Sequence, residues 1–252
     1  MAWRTILANA MLSLGLLFCG TAHAQDSITD MLSRERMGVI DPGSYMAGDS
    51  VGFAIQNLGS NFLMRFDGAP EVFVLYAGRA SMGGRILRYD DGQTAIQVTV
   101  WGGVTLYTDA KPGGLPAART GDASSFALTG ISLADLQTAA ADDAKRLGYG
   151  RKLRLAITMD WTALAGDSGL RALYYDAMEN AVRGIDRFAA SAHAREALAK
   201  KVNTVAIVPA PRPTVNVQGR TLQVTFNPGA GYVGRASSRA IARGLMKLFG
   251  VH

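Results

Sequence analysis

Cysteine and histidine are almost absent from this chain, and their scarcity limits the chemistry available to it. The 252 residues include one cysteine, Cys19, and three histidines. A zinc site built from histidine and cysteine ligands is therefore excluded, and neither an H-E-x-x-H nor an EF-hand pattern occurs. We expect no metal site and no cofactor.

The chain also lacks an apolar run long enough to span a membrane. Its N-terminal run, Ile6–Phe18, has 13 residues, whereas a spanning helix needs about 20. Arg4 precedes this run, and Ala22–Ala24 follows it with the small-x-small pattern that signal peptidase accepts. The pattern predicts a signal peptide over residues 1–24, no transmembrane segment after cleavage, and a periplasmic or secreted protein.

Cys19 leaves a lipoprotein open as an alternative to release. Lipid attachment needs a small residue just before the cysteine, and Phe18 is bulky, so the sequence favours release. Cleavage after Ala24 also removes Cys19, and the mature chain can then form no disulfide. Its stability must come from a packed core.

The first half of the predicted mature chain has the period of β-strands. Between Val51 and Thr108, apolar runs flank glycine-bearing turns at Asp67–Pro70 and Asp90–Gly92, as in β-hairpins. We predict a β-rich lobe over residues 25–110, folded as an antiparallel meander of five or six strands. Residues 111–131 are rich in Gly, Pro, Ala and Ser, which predicts a linker loop.

The second half mixes helical and strand periods. The pattern predicts helices from Ser132 to Gly148, from about 169 to 189, from Ala192 to Lys200 and from Ser238 to Phe249, with strands at 152–160, 204–208 and 215–226. This order of elements indicates an α+β protein. The β meander would pack with a mixed α/β lobe over residues 132–252, either as two lobes or as one continuous domain, 25–252.

Carboxylates are the catalytic groups that the composition leaves available, because hydrolysis by two carboxylates needs only Asp or Glu. Asp160 ends an apolar strand beside Trp161, and strand ends often present functional side chains. Glu179 lies on the long predicted helix four residues before Arg183, a spacing equally typical of a structural i,i+4 ion pair. Asp160 and Glu179 are our candidates for catalysis.

Acidic residues are missing from the end of the chain. Glu196 is the last of them, so residues 197–252 carry a net charge of +8, whereas residues 25–196 have 17 basic and 20 acidic side chains. Opposite charges on the two parts can attract each other within the fold, or the basic part can attract an outside partner. The sequence leaves both interpretations open.

The arginines at the start of the final helix favour the second interpretation. A helix N-terminus disfavours cations, and a bound anion would relieve that cost. The preceding loop spells G-x-G-x-x-G between a strand and a helix, as phosphate-binding loops do, although no acidic residue follows to hold a ribose. A flexible connection and a solvated helix face are the alternatives. The predicted anion-binding residues are Gly229, Gly231, Gly234, Arg235, Arg239 and Arg243.

Four stretches carry a resemblance to known sequences: Arg34–Gly43, Ala80–Arg85, Ala177–Phe188 and Gly234–Arg243. They resemble an uncharacterised family of exported bacterial proteins, known only as a domain of unknown function. The resemblance runs over most of the mature chain. It implies export, and it transfers no activity, substrate or site residue.

These observations lead to two hypotheses. The favoured one is a non-catalytic binding or structural protein whose basic C-terminal lobe contacts an anionic component of the cell envelope or an acidic protein. The alternative is a carboxylate-dependent hydrolase that acts on cell-envelope material. We expect no nucleic-acid partner.

Overall fold

The computed structural model describes residues 40–251. The predicted signal peptide, its cleavage site, Cys19 and most of the stretch Arg34–Gly43 lie outside the described residues.

The N-terminal half is a closed β-barrel. Each strand pairs antiparallel with the next along the chain, and the first pairs with the last. Three of the turns lie at one end of the barrel with the connection from β8 to the rest of the chain, and four lie at the other end. The strands are β1 Gly43–Ala47, β2 Val51–Leu58, β3 Asn61–Phe66, β4 Val72–Arg79, β5 Arg85–Arg88, β6 Thr94–Val98, β7 Val104–Thr108 and β8 Lys111–Gly121, with a 3-10 turn at Ser81–Gly83.

The barrel corrects two predictions. The antiparallel order was right, and six strands lie within Val51–Thr108, but the open meander is wrong, because β1 and β8 complete eight strands that close on themselves. The predicted linker, 111–131, is wrong over 111–121, since that segment is β8. Its content of proline and glycine is typical of a loop. The segment nevertheless pairs with β7 on one side and β1 on the other, with register shifts in both ladders. Such irregular pairing accommodates proline and glycine within a sheet.

Side chains alternate between the two faces of the barrel wall. The inward set fills the interior, as expected for eight strands, and is buried; it includes Phe53, Ile55, Met64, Leu75, Leu87, Ile96 and Leu106. On the outer face, Leu63, Val72 and Val74 form a separate apolar cluster with Phe126. The irregular segment after β8 therefore covers part of the barrel wall.

The C-terminal half is a four-stranded sheet with five helices in the part of the chain that the structure describes. The strand order is β11-β12-β10-β9, in which β9, β10 and β12 are parallel and β11 is antiparallel to β12. The strands are β9 Ala156–Thr158, β10 Thr204–Pro209, β11 Val215–Gln218 and β12 Thr221–Phe226. The helices are α1 Leu133–Arg151, α2 Trp161–Gly166, α3 Ser168–Phe188, α4 Ala192–Lys201 and α5 Ser238–Phe249.

Helix α3 is central to the core of this half. Its Tyr174 ring meets Phe226 of β12 edge to face, with ring centroids 4.8 Å apart. Its Gly184 lets α5 approach closely, because a Cβ at that position would lie 2.6 Å from Cγ2 of Ile241. The predicted helices and the α+β combination of strands and helices are confirmed. Each of the helices in residues 40–251 is too short or too polar to cross a membrane.

One end of the barrel faces the C-terminal half. We call it the acidic end, because its turns carry Glu71, Asp90, Asp91 and Asp109. The start of α5 and the side of α3 lie against it. We call the opposite end, with the turns 59–60, 80–84 and 99–103, the basic end.

Candidate functional site

Carboxylates of the acidic end hold the start of helix α5. The backbone N–H and the hydroxyl of Ser238 donate to Glu71 at 2.8 and 2.7 Å. Those of Ser237 donate to Asp90 at 2.7 and 2.5 Å. These bonds satisfy N–H groups that a helix N-terminus leaves free and place negative charge at its positive end. Glu71 and Asp90 thus supply the negative charge at the start of α5 that we expected from an outside anion.

Arg235 belongs to the interior of the molecule. Only 6% of the residue is exposed, and its guanidinium forms an ion pair with Asp176 of α3 and donates to the carbonyl of Val72 at 2.9 Å. Burial raises the pKa of Asp176, and the charge of Arg235 opposes that rise. Arg235 therefore ties α3, α5 and the barrel together.

Arg239 of α5 and Arg187 of α3 share one carboxylate of the barrel, that of Asp109. The Arg239 guanidinium lies 4.5 Å from the centre of the Tyr89 ring and contacts Asp91 at 3.1 Å and Asp109 at 2.9 Å. Asp109 also accepts from Arg187 of α3 at 3.1 Å. Burial works against ionisation of Asp109, but the two guanidiniums outweigh it and lower the pKa of this carboxyl. We call this arrangement the Arg239–Asp109–Arg187 bridge.

The loop with the G-x-G-x-x-G spacing, residues 229–234, is held by hydrogen bonds within its own segment. Residues Pro228–Gly234 form a 3-10 segment in which Asn227 accepts from the N–H of Gly229 at 2.9 Å and donates its own N–H to the carbonyl of Gly234 at 2.6 Å. Gly231 has a φ of 53°, which favours glycine. The spacing of these glycines therefore has a local structural explanation.

Anion binding by the six predicted residues stays a prediction. The contacts described above reduce the number of those residues that can reach an outside anion. Arg243 donates to the backbone carbonyl of Asp91, and within residues 40–251 no ion pair is found for it. Arg239 and Arg243 line one open cleft, whereas Arg235 is committed to Asp176. Basic groups of residues 197–252 thus pair with acidic groups of residues 25–196 inside the fold, as the first interpretation of the charge asymmetry proposed.

The opening of the barrel at the acidic end contains a cavity of about 400 Å³. Three aromatic side chains from the inner face of the barrel wall line it, with ring centroids 5.2 Å apart for one pair and 6.2 Å for another. Three guanidiniums from α3 and α5 lie across it. We call this cavity the barrel-mouth site, formed by Phe66, Phe73, Tyr89, Arg183, Arg187 and Arg239.

A second cleft, of about 720 Å³, adjoins the barrel-mouth site. Asp109, Arg187 and Arg239 line both spaces, so the Arg239–Asp109–Arg187 bridge is the wall between them. Arg243 and Met246 of α5 lie on the far side of this cleft.

Sequence reasoning identified Arg239 but missed Arg183, Arg187 and the aromatic rings of the barrel. In most of the pairs formed by one aromatic residue and one arginine of this site, the two residues are more than a hundred positions apart in the sequence. Local periodicity therefore gives no indication that they meet. The repeat of arginine at positions 183 and 187 on one side of α3 was the only local signal.

The two candidates for catalysis have structural contacts. The Asp160 carboxylate accepts from the N–H of Ala163 at 3.0 Å and caps α2. Glu179 pairs with Arg183 at 2.9 Å, as its spacing predicted. Burial and the neighbouring carboxylate of Asp143 raise the pKa of Glu179. Hydrolysis by either residue stays a prediction.

A family model for a domain of unknown function, DUF4908, matches residues 27–245. The chain belongs to this family. The DUF4908 match covers the barrel and the sheet of the C-terminal half and ends within α5. It confirms the resemblance to an uncharacterised family. Neither a curated protein nor a solved structure matches the chain.

Proposed function

We propose that this DUF4908 member is a non-catalytic, exported binding protein whose barrel-mouth site takes a small anionic ligand with an apolar part. The ligand class is an amphiphile of the cell envelope with a carboxylate or phosphate head. One observation carries the proposal: three guanidiniums and three aromatic rings line the same opening. Ligand sites in barrel proteins occur preferentially at such mouths.

The charges at the barrel-mouth site favour an anion. Its lining has three arginines and two carboxylates, Glu71 and Asp109. Glu71 is already occupied by both donors of Ser238. Asp109 serves two guanidiniums at once, although 58% of its side chain is exposed. Arg183 also pairs with Glu179, and Arg239 also pairs with Asp91. Arg187, whose ion pair within residues 40–251 is with Asp109, is therefore the guanidinium to which a ligand carboxylate or phosphate can add acceptors.

The apolar lining sets the size of the ligand. The half-buried ring of Phe66 gives the apolar surface on which an alkyl or aromatic group can be buried, and the buried rings of Phe73 and Tyr89 support it from behind. A volume of about 400 Å³ lies at the small end of the range for ligand pockets. These dimensions suit one head group with a short apolar chain and not a polymer.

A fluorescent aromatic sulfonate, 1-anilinonaphthalene-8-sulfonate, is a suitable first probe because it stays ionised and has an apolar part. We expect saturable fluorescence with the full chain, and competition by octanoate but not by octanol. Arg187→Gln should weaken binding about ten-fold, the value of one charge-assisted hydrogen bond. Arg212→Gln, at an exposed site on another part of the surface, is the matched control.

Two results of the probe experiment would contradict the proposal. Equal competition by octanol would show that apolar contact alone drives binding, and equal affinity of Arg187→Gln and the wild type would remove the arginines from the site. Either result overturns the proposal. Urea unfolding curves of both variants check that the probe binds the folded state.

The alternative function, a carboxylate-dependent hydrolase, is supported by one observation. Buried Asp143 of α1 and half-buried Glu179 of α3 lie next to each other, and the pKa of Glu179 is raised, as it is in many general acids. Ester and glycan hydrolysis by the wild type, by Glu179→Gln and by Asp160→Asn tests it. Rates that are equal in all three proteins would reject this function.

A further inference from the structure

The basic end of the barrel carries the most exposed tryptophan in the described residues. Trp101 lies in the turn between β6 and β7, and 89% of it is exposed. The turn is held by bonds from Gly102 N–H to the Thr99 carbonyl at 3.0 Å and from Thr99 N–H to the Gly103 carbonyl at 2.9 Å. A hydrogen-bonded turn therefore presents the indole ring to solvent.

Two arginines face each other beside this turn. Arg79 ends β4, Arg85 begins β5, and they are direct partners in the antiparallel ladder. Like charges in that position destabilise a sheet, and within residues 40–251 neither guanidinium has an ion pair. The β4–β5 turn also packs on the β6–β7 turn, because a Cβ on Gly83 would lie 3.2 Å from Val100.

The carboxylates of the basic end lie elsewhere on its rim. The turns 59–60, 80–84 and 99–103 contain no acidic residue. Asp122 follows β8 and pairs with Arg119 at 2.5 Å, and Asp41 precedes β1. The part of the rim formed by β4 to β7 thus combines an exposed indole with two arginines that have no acidic partner in the part of the chain that the structure describes.

From this juxtaposition we infer that the basic end docks on the surface of an anionic phospholipid membrane. Tryptophan prefers the interface between water and acyl chains, and anionic head groups attract adjacent arginines. A protein partner fits less well, because a specific protein interface buries about 1,000 Å² or more, and the apolar surface of this turn is one indole ring with part of Val100. The inference is independent of the barrel-mouth site.

Vesicle binding by the full chain tests the inference. Affinity is measured on phosphatidylcholine vesicles with and without phosphatidylglycerol, and the ratio of the two affinities is the readout. The apolar run near the N-terminus is shared by every variant, so its contribution cancels. We expect Arg79→Gln and Arg85→Gln each to lower the ratio about five-fold, whereas Arg212→Gln leaves it unchanged.

Fluorescence locates the indole ring. Subtracting the spectrum of Trp101→Ser from that of the wild type isolates the emission of Trp101, which vesicles with brominated acyl chains should quench. Tyr149→Ser is the matched control, because Tyr149 on α1 is also 88% exposed and its loss should leave vesicle binding intact.

Three results would overturn the inference. They are an affinity ratio unchanged in both arginine variants, Trp101 emission that the bromines do not quench, and vesicle-free self-association that Trp101→Ser abolishes. The last result would assign the basic end to contact between copies of this chain.

Discussion

The two ends of the barrel differ in whether their charged side chains are paired within the fold. At the acidic end, Glu71 and Asp90 accept from the start of α5, and Asp91 and Asp109 pair with Arg239. At the basic end, Arg79 and Arg85 face each other with no acidic partner in the described residues. The carboxylates of the first end are therefore paired within the fold, and the barrel-mouth site opens beside them. The second retains an electrostatic cost that only something outside the barrel can relieve.

The comparison also predicts where a substitution costs folding free energy. Substitutions at the acidic end should cost folding free energy, because they leave buried groups unpaired. Substitutions of Arg79 and Arg85 at the basic end should cost no folding free energy, because they remove one of two like charges that face each other. The four predictions below test this division, beginning with the largest effect.

Arg235→Ala should produce the largest loss. The substitution leaves the carboxylate of Asp176 without its buried partner, and breaking such a pair costs about 3 to 5 kcal/mol. Urea unfolding followed by circular dichroism measures the loss, with Arg212→Ala as an exposed control. The double variant Arg235→Met with Asp176→Leu should recover most of the stability. A single variant as stable as the control would contradict the assignment of Arg235 to the interior.

Glu71→Gln should cost about 2 kcal/mol, within the range for hydrogen bonds to charged groups. The amide removes the negative charge at the N-terminus of α5 and disturbs one of the two bonds to Ser238. Asp67→Asn changes an exposed carboxylate of the same turn and should cost less than about 0.5 kcal/mol. Equal losses in the two variants would show that α5 does not depend on Glu71.

Asp109→Asn should change the dependence of stability on pH. The pKa of Asp109 is lowered in the folded protein, so its ionised form stabilises the fold above about pH 4, the unfolded value, and this contribution is lost as pH falls through the folded pKa. The wild type should exceed the variant by about 1 kcal/mol at pH 7, since the group is partly exposed, and the difference should shrink as the pH falls below about 4. A difference that is constant with pH would mean that Asp109 is not held by the two arginines.

Arg85→Thr should have the smallest effect and the opposite sign. It removes one of two like charges that are direct cross-strand partners, and threonine suits a strand. We expect a gain of a few tenths of a kcal/mol in the free energy of unfolding. Thermal unfolding at low salt measures it, and the gain should shrink at high salt. A destabilisation would show that Arg85 has a structural role.

Local patterns predicted the elements but not how the barrel closes. The hairpin turns and the helical period of α3 and α5 are properties of neighbouring residues, and those predictions hold. Closure depends on β1 and β8, which pair although they are separated by most of the barrel sequence. The prolines and glycines of β8 concealed it, because strand preference depends strongly on the pairing partner.

The candidate site shows the same limit. The regular spacing of Arg235, Arg239 and Arg243 was visible in the sequence, and so was the charge asymmetry. The partners that decide the roles of these arginines are Asp176, Asp91 and Asp109, and nothing local to α5 identifies them. A basic segment therefore looked available for an outside anion, whereas Arg235 and Arg239 mainly join parts of the fold.

The hydrogen bonds at the start of α5 also constrain the order of folding. Ser238 is 167 positions after Glu71, and Ser237 is 147 positions after Asp90. During synthesis the barrel strands are complete long before their carboxylates can reach these donors. Contacts of such sequence separation slow folding, so we expect the barrel to acquire its full stability only after the last helix has left the ribosome. A chain that ends before Ser237 should leave the barrel with unmatched carboxylates at its mouth.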